Sequence, residues 1–325
     1  LKVVNVVSSL SELPPSESSV VSIGNFDGVH LGHRAILETV TRRAGAMGVR
    51  SAVITFDPHP IRFLAPDKAP KLISTLAQKV ALIREAGIDL LLVARFDADF
   101  AALEPDTFIS RYLVDGLSAC ALSVGANFSF GYRQSGTVET LRRWSHQFEL
   151  LEVPPVRVRG ALVSSTLIRE RIAQGEVNAA RRLLGRPVEI EGRIVEGAGR
   201  GRRVTVPTFN LESDNELLPG RGVYITRISL DGAPYLDGVT NIGVRPTFDA
   251  NELTVETHAL SGPVPSQASR ASLQFLRRLR DERRFNSPVE LSAQIAEDVR
   301  RARRFFQYFQ FLCRRSQGHA LSHSR

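Results

Sequence analysis

"SIGNFDGVHLGHRAIL", residues 22–37, sets three glycines, one aspartate and two histidines between an apolar run and a helical pattern. The run that enters it, "SVVSIG", reads as a buried strand, and "GHRAILETVTRRAGAMG" reads as a helix closed by Gly48. A connection made only for packing needs none of these polar groups. A loop that handles phosphate uses all of them. Gly24 ends the strand, and Gly28 and Gly32 let the backbone approach a ligand closely. A helix that begins near Gly32 or His33 turns its first N–H groups and the positive end of its macrodipole outward. His30 and His33 flank that seat and can donate hydrogen bonds to phosphoryl oxygens as charge builds there. The alternative has Asp27 capping the turn and both histidines satisfied locally.

Outward from this stretch the first half alternates. "RSAVITF", "IDLLLVARF" and "ACALSVG" are further apolar strands. Between them lie helical patterns in "STLAQKVALIREAG", with Ser74 as the expected N-cap and Gly87 as its stop, and in "EPDTFISRYLVDGL". Near-continuous apolar strands alternating with helices predict a parallel sheet covered on both faces. Ligands of such sheets bind at the carboxyl ends of the strands. The unusual loops "GNFDGVHLGH", "DPHP" and "GANFSFGYRQSG" all follow strands, so they can meet at one edge.

The pattern changes near Gly185-Arg186-Pro187, after two short helical segments, "STLIRERIAQG" and "EVNAARRLLG". The pieces "VEIEGRIVE", "GVYITRISL", "YLDGVTNIG", "ELTVETHAL" and "ASLQFLRRL" are short, alternating and separated by turn signals such as Leu230-Asp231-Gly232. They predict an antiparallel barrel or sandwich. A last helix carries Leu291, Ile295, Val299, Ala302 and Phe306 on one stripe, and the aromatic run from Phe305 to Phe311 reads as its packing face. The tail from residue 311 to 325 is expected to be disordered.

A length of 325 residues suits two domains, and 43 % hydrophobic with 23 % charged residues suits a folded soluble chain. No apolar run approaches the roughly 20 residues of a membrane span, and the opening residues lack the apolar core of a signal peptide. Two cysteines, Cys120 and Cys313, without a CxxC argue against a disulfide scaffold or zinc site and fit a reducing, cytoplasmic compartment. The net charge of +8 is concentrated late, in "FLRRLRDERRF" and "VRRARRFF". These runs read as solvated faces more readily than as a nucleic-acid patch, and a basic balance suits anionic small substrates.

The order His-x-Gly-His after Gly-x-Phe-Asp-Gly resembles the signature of the nucleotidyltransferase superfamily. A second signature of that superfamily, Ser-Ser-Thr-x-x-Arg, is matched by "SSTLIR", residues 164–169. With "TFDPHP" and "VGANFSFGYRQSG", the resemblance narrows to the prokaryotic bifunctional riboflavin kinase/FMN adenylyltransferases. It implies a Rossmann-like parallel-sheet nucleotidyltransferase domain, residues 1–184, followed by a small antiparallel β-barrel kinase domain with a C-terminal helix, residues 185–310. By that resemblance His30, His33 and Arg169 act in adenylyl transfer. Gly24, Phe26, Asp27, Gly28, Gly32, Ser164, Ser165 and Thr166 hold ATP. Pro58, His59, Pro60, Asn127 and Phe128 hold the flavin.

In the second half, "GRIVEGAGRGRRVTVPTFNL" resembles the kinase's Gly-rich loop leading into its Pro-Thr-x-Asn motif, with Phe209 where the family usually has Ala. The resemblance gives Gly197, Gly199 and Gly201 to the nucleotide and Thr208 and Asn210 to Mg2+. The segments "GVYITRISLDG", "GVTNIGVRPTF" and "LTVETHAL" match downstream kinase segments and make Glu256 the general base. Departures at Phe209, at Ala259–Gly262 and at "SQASRASLQF" put the kinase loops in question. The implied function is ATP-dependent conversion of riboflavin to FMN and of FMN to FAD. Its partners are riboflavin, FMN and ATP with Mg2+, with no nucleic acid or membrane, and self-association is allowed. Alternatives are adenylyl transfer alone beside an inactive kinase-like barrel, a different acceptor, or a binder without turnover.

Overall fold

The computed structural model describes residues 4–13, 17–195, 208–246, 251–262, 265 and 267–322. The chain forms two compact units, Leu1–Leu167 with Leu183–Gly185, and Ile168–Arg182 with Arg186–Arg325.

In the first unit, β1 (Asn5–Val7), β2 (Ser19–Ile23), β3 (Arg50–Asp57), β4 (Leu90–Arg95), β5 (Ala119–Gly125) and β6 (Glu149–Val153) form a sheet ordered β1-β4-β3-β2-β5-β6. Every pairing is parallel. The connections carry α1 (Leu31–Met47), α2 (Pro60–Leu64), α3 (Leu76–Glu85), α4 (Ala98–Ala101), α5 (Pro105–Phe108) and α6 (Val138–Arg143). Both sheet faces are buried, which is why the strands read as continuous apolar runs. Val20, Val53, Leu91 and Ala121 pack against Leu37, Val40 and Ala44 of α1 and Ile83 of α3. Val21, Ile54, Leu92 and Leu122 pack against Phe108, Leu113 and Leu141.

Local signals decide the ends of these helices. α1 stops at Gly48, whose φ of +66° suits glycine, with its N–H bonded to Ala44 O. α3 is capped by Thr75 rather than by the expected Ser74. Thr75 accepts from Gln78 N–H, and the Gln78 side chain accepts from Thr75 N–H, a reciprocal capping box. Ser74 is engaged elsewhere, as described below. The helix expected over "EPDTFISRYLVDGL" is α-helical only through Phe108 and π-helical over Ile109–Gly116. A short hairpin, β7 (Arg157–Val158) and β8 (Ala161–Leu162), leads into α7 (Ser165–Ala173), which α8 (Val177–Leu184) follows.

The second unit holds a closed antiparallel barrel of β9 (Val188–Val195), β10 (Thr208–Ser213), β11 (Gly222–Leu230), β12 (Leu236–Pro246), β13 (Asn251–Ala259) and β14 (Arg270–Arg280), ordered β10-β13-β12-β11-β14-β9. Its interior includes a buried hydroxyl ladder: Thr226 and Thr240 Oγ1 lie 2.8 Å apart, and Thr240 and Thr257 Oγ1 lie 3.0 Å apart. Each of the three buried hydroxyls thereby has a hydrogen-bond partner.

α9 (Pro288–Ser322) closes the unit. Ala302 and Phe306 pack on Val223, Ile225, Val239 and Leu276. The buried stripe is narrower than the sequence suggests, since Leu291 and Tyr308 are exposed. α9 also takes in most of the segment expected to be a disordered tail, because nothing before Gly318 breaks the helix. Asp298 of α9 is 3 % exposed and accepts from Arg280 of β14 at 2.8–3.2 Å through Nε and Nη2. Asp298→Ala would leave the Arg280 guanidinium, whose side chain is 18 % exposed, without its carboxylate partner, with an expected loss of about 3 kcal/mol. Urea denaturation followed by a probe in the barrel checks this.

Candidate functional site

The order of the first sheet reverses at β2: the chain runs outward through β3 and β4, then returns to place β5 on the other side of β2. The carboxyl ends of β3, β2 and β5 are therefore neighbours, and the three unusual loops emerge side by side at the switch point.

The loop after β2 has a demanding backbone. Phe26, Gly28 and Val29 have φ of +46°, +76° and +37°. For Phe26 and Val29 this is a costly region, and both side chains are buried, so surrounding structure holds them there. The hold comes from Asp27, which is 2 % exposed. Its carboxylate accepts from Ile73 N–H at 3.0 and 3.2 Å and from Ser74 N–H at 3.2 Å. Ser74 Oγ in turn accepts from Gly28 N–H at 3.1 Å. Gly28 is required twice over: its φ is left-handed, and a Cβ would lie 2.9 Å from Ile73 Cγ2.

His30 is the N-cap of α1, and its Nδ1 accepts from His33 N–H at 3.2 Å. In the neutral ring this leaves the proton on Nε2. The His30 and His33 rings stack with centroids 3.6 Å apart, and Phe26 meets His33 edge-on at 5.2 Å. A side chain at Gly32 would come within 3.1 Å of His30 Cε1, so the glycine of His-x-Gly-His makes room for the ring to fold back over the helix start. His33 Nδ1 is sealed from solvent and has no hydrogen-bond partner among the described residues. Burial, then the neighbouring His30 and Lys79 charges, hold His33 well below its ordinary 6.5.

The second signature joins the first directly. Ser164 caps α7 by accepting from Leu167 N–H at 3.3 Å, and Ser165 Oγ donates to Asp27 O at 3.1 Å. Thr166 lies in the first turn of α7, and Arg169 lies four residues after Ser165, on the same face of that helix.

Beside the loop opens a cavity of about 780 Å3 that begins at Ile23, Gly24 and Asn25. Its wall is aromatic: Phe56, Phe63, Phe96, Phe100 and Phe108 meet Phe128 and Phe130 of the loop after β5. Phe128 and Phe130 stack at 5.4 Å, and Phe100 lies 5.3 Å from Phe56 and 5.4 Å from Phe96. Pro60 and Asn127 also line the cavity, whereas Pro58 and His59 do not. His59 is buried and caps α2, its Nδ1 accepting from Ile61 N–H at 3.3 Å.

The barrel assembles a different arrangement. Asn210 pairs with Glu256 across β10 and β13, and Glu256 pairs with Asn241 across β13 and β12. Thr208 pairs with His258 one step along. Directly opposed residues share a face, so Thr208, Asn210, Glu256, Asn241 and His258 form one polar patch. Among the described residues no cluster of three His, Cys, Asp or Glu side chains could hold a metal ion. The hydroxyl of Thr208 and the amide oxygen of Asn210 are hard donors that fit Mg2+ carried mainly by a nucleotide's phosphates. Gly197, Gly199 and Gly201 lie outside the described residues.

Comparison with known proteins matches each half. A family model for FAD synthetase fits residues 13–167, and one for riboflavin kinase fits residues 184–306. A bifunctional riboflavin kinase/FMN adenylyltransferase of Escherichia coli K12 is 36 % identical over 308 residues, covering 94 % of this chain and 98 % of the relative. This chain belongs to the bifunctional riboflavin kinase/FMN adenylyltransferase family. A relative of the same name from Pseudomonas fluorescens is 36 % identical over 293 residues, covering 89 % of this chain and 94 % of its own. A crystal structure described as a macrolide-efflux protein of Streptococcus pneumoniae superposes with a TM-score of 0.83 at 27 % identity, covering 92 % of this chain and 98 % of that one. Among the described residues no helix is long and apolar enough to cross a membrane.

Phe209 stands where the resemblance expects Ala. It is 5 % exposed and alternates with Thr208 and Asn210, so it packs in the barrel on the opposite face from the polar patch. The sequence reading missed Asn241, whose signal was the Asn-x-Gly of "TNIGVRP". It also missed the Phe56, Phe96 and Phe100 wall, signalled only by phenylalanines at or just after the carboxyl ends of β3 and β4.

Two measurements test this geometry. Gly28→Ala forces the Cβ onto Ile73 at a left-handed position and is expected to cost about 1–3 kcal/mol. Thermal denaturation should show the loss in the first unit while the barrel's transition stays in place. For His33, the unfolded chain binds a proton below pH 6.5 that the folded protein does not, down to the lowered native value. Stability therefore falls as pH falls through that window. In His33→Asn the drop in melting temperature between about pH 7 and pH 5 should be smaller than in the unmodified protein.

Proposed function

We propose that the chain phosphorylates riboflavin at its terminal ribityl hydroxyl and then adenylylates the resulting FMN, each step consuming ATP. Residues 1–184 carry the adenylyl transfer and 185–310 the phosphorylation. The observation that carries this reading is the aromatic cavity opening directly from Gly24 and Asn25 of the histidine loop. A flat apolar ring system and a phosphate-handling helix start are thereby offered to one ligand.

In adenylyl transfer an FMN phosphate oxygen attacks the α-phosphorus of ATP, and the bond to the β-phosphate oxygen breaks to release pyrophosphate. FMN is already an anionic nucleophile, so the protein's work is alignment and charge stabilisation. His30 donates from Nε2, and His33 enters as a neutral imidazole beside it. The N–H groups at the start of α1 face the same charge, with Ser164, Ser165, Thr166 and Arg169 supplying donors from the second signature. Gly24, Phe26, Gly28 and Gly32 shape the seat, and Asp27 holds it from beneath. The isoalloxazine stacks in the cavity against Phe128 and Pro60, with Asn127 bonding its polar edge; Pro58 and His59 hold the loop behind them.

In phosphorylation Glu256 takes the proton of the ribityl hydroxyl as that oxygen bonds to the γ-phosphorus, and ADP leaves. Thr208 and Asn210 would hold Mg2+ with the ATP phosphates, and Asn241 orients the Glu256 carboxylate from the neighbouring strand. A sequence with two cysteines and no CxxC supports a reducing, cytoplasmic location.

Purified protein given ATP and Mg2+ should convert both riboflavin and FMN to FAD, resolved by chromatography. Glu256→Gln should lower riboflavin phosphorylation by about 10²-fold or more and leave FAD formation from supplied FMN unchanged. FAD from FMN alone in the unmodified protein would remove the kinase half of the proposal, and no FAD from either would remove the flavin assignment.

A further inference from the structure

Lys79 is the fourth residue of α3 and only 5 % exposed. Buried lysines are rare unless paired, and this one is poorly paired. Among the described residues its ammonium makes a single hydrogen bond, to Thr55 Oγ1 at 3.4 Å. Thr55 Oγ1 donates onward to Asn25 O at 3.3 Å, inside the loop that follows β2. The charged and titratable groups that act on this cation are Asp27 beneath the loop, Asp57 at the end of β3, and His33 at the start of α1. An ammonium with two hydrogens unspent in the protein interior costs stability unless something uses its charge.

Building on the adenylyl-transfer reading above, we propose that Lys79 is a positioning residue of that site, holding the Gly24–Gly28 loop through Thr55 and setting a fixed positive charge beneath the ligand's phosphates. Lys79 does not touch the ligand. It acts through the loop it braces and through its field, which is strong because burial removes the water that would screen it. The same field discourages a proton on His33, so the ring meets the phosphates with the protonation that its hydrogen bonds need. Burial lowers the Lys79 ammonium from its ordinary value, and Asp27 and Asp57 oppose that shift. The two carboxylates thus keep the cation charged without quenching it.

The test compares Lys79→Met and Lys79→Arg in the full chain. Two readouts are used: steady-state FAD formation from FMN, and the imidazole NMR titration of His33 without substrate. Lys79→Met is expected to lower FAD formation about 10–100-fold, chiefly in kcat, and to leave riboflavin phosphorylation within about twofold. It should also raise the His33 titration midpoint. Lys79→Arg keeps the charge, so it should leave that midpoint low and recover part of the rate. FAD formation within about threefold of the unmodified protein in Lys79→Met, or a rate loss with the His33 midpoint unmoved, would overturn the proposal. Should Lys79→Met fail to fold, Thr55→Val cuts the link to the loop and keeps the cation. It should slow FAD formation with His33 unshifted, and an unchanged rate would overturn the bracing role. If the unmodified protein forms no FAD from FMN, the adenylyl-transfer reading fails, and the His33 midpoint still decides whether Lys79 sets the charge in this loop.

Discussion

The first unit depends on one buried carboxylate. Asp27 receives the N–H groups of Ile73 and Ser74 on its side chain and the Ser165 hydroxyl on its carbonyl oxygen. Three segments far apart in sequence are fixed to one residue: the histidine loop, the entry to α3 and the start of α7. The positive φ values of Phe26 and Val29 are affordable only because this clamp and the burial of both side chains over-determine the loop.

The clamp also explains an ambiguity in the sequence. An aspartate in a glycine-rich loop suits both a ligand contact and a turn cap, and neither reading anticipates that its partners are backbone N–H groups 46 and 47 residues away. Ser74 was displaced for the same reason. Its position suits an N-cap, but its N–H and hydroxyl serve Asp27 and Gly28, and the cap passes to Thr75. Local propensity names the residue types a helix start needs, whereas tertiary hydrogen bonds decide which of two neighbours is used.

What was legible follows from burial. The central strands β2 to β5 see apolar surroundings on both faces and announce themselves as unbroken hydrophobic runs. β1 and β6 sit at the sheet edges; one has three residues, and the other carries Glu149 and Glu152. Neither produces a run that stands out from a loop, and neither was found in the sequence. The motifs at the carboxyl edge were legible because glycine, histidine and serine have few packing uses in such company. The aromatic wall was not, because a phenylalanine facing a ligand cavity and one facing a core have the same sequence signal. Only the strand ends that carry Phe56 and Phe96 tell them apart, and that requires the sheet order.

The two units handle phosphate with different backbone chemistry. The parallel sheet ends in helix starts, whose free N–H groups and dipoles concentrate positive potential at one edge. A closed antiparallel barrel has no such edge, since its backbone donors are spent on neighbouring strands. Its polar groups must come from side chains, and strand alternation sorts them. Thr208, Asn210, Glu256 and Asn241 fall on one face while Phe209, Val255 and Thr257 fall on the other. A Phe at 209 therefore packs among Leu211, Val255 and their neighbours and does not enter the row of Asn210, Glu256 and Asn241. Divergence in the barrel is therefore to be weighed by strand parity before it is weighed by residue size.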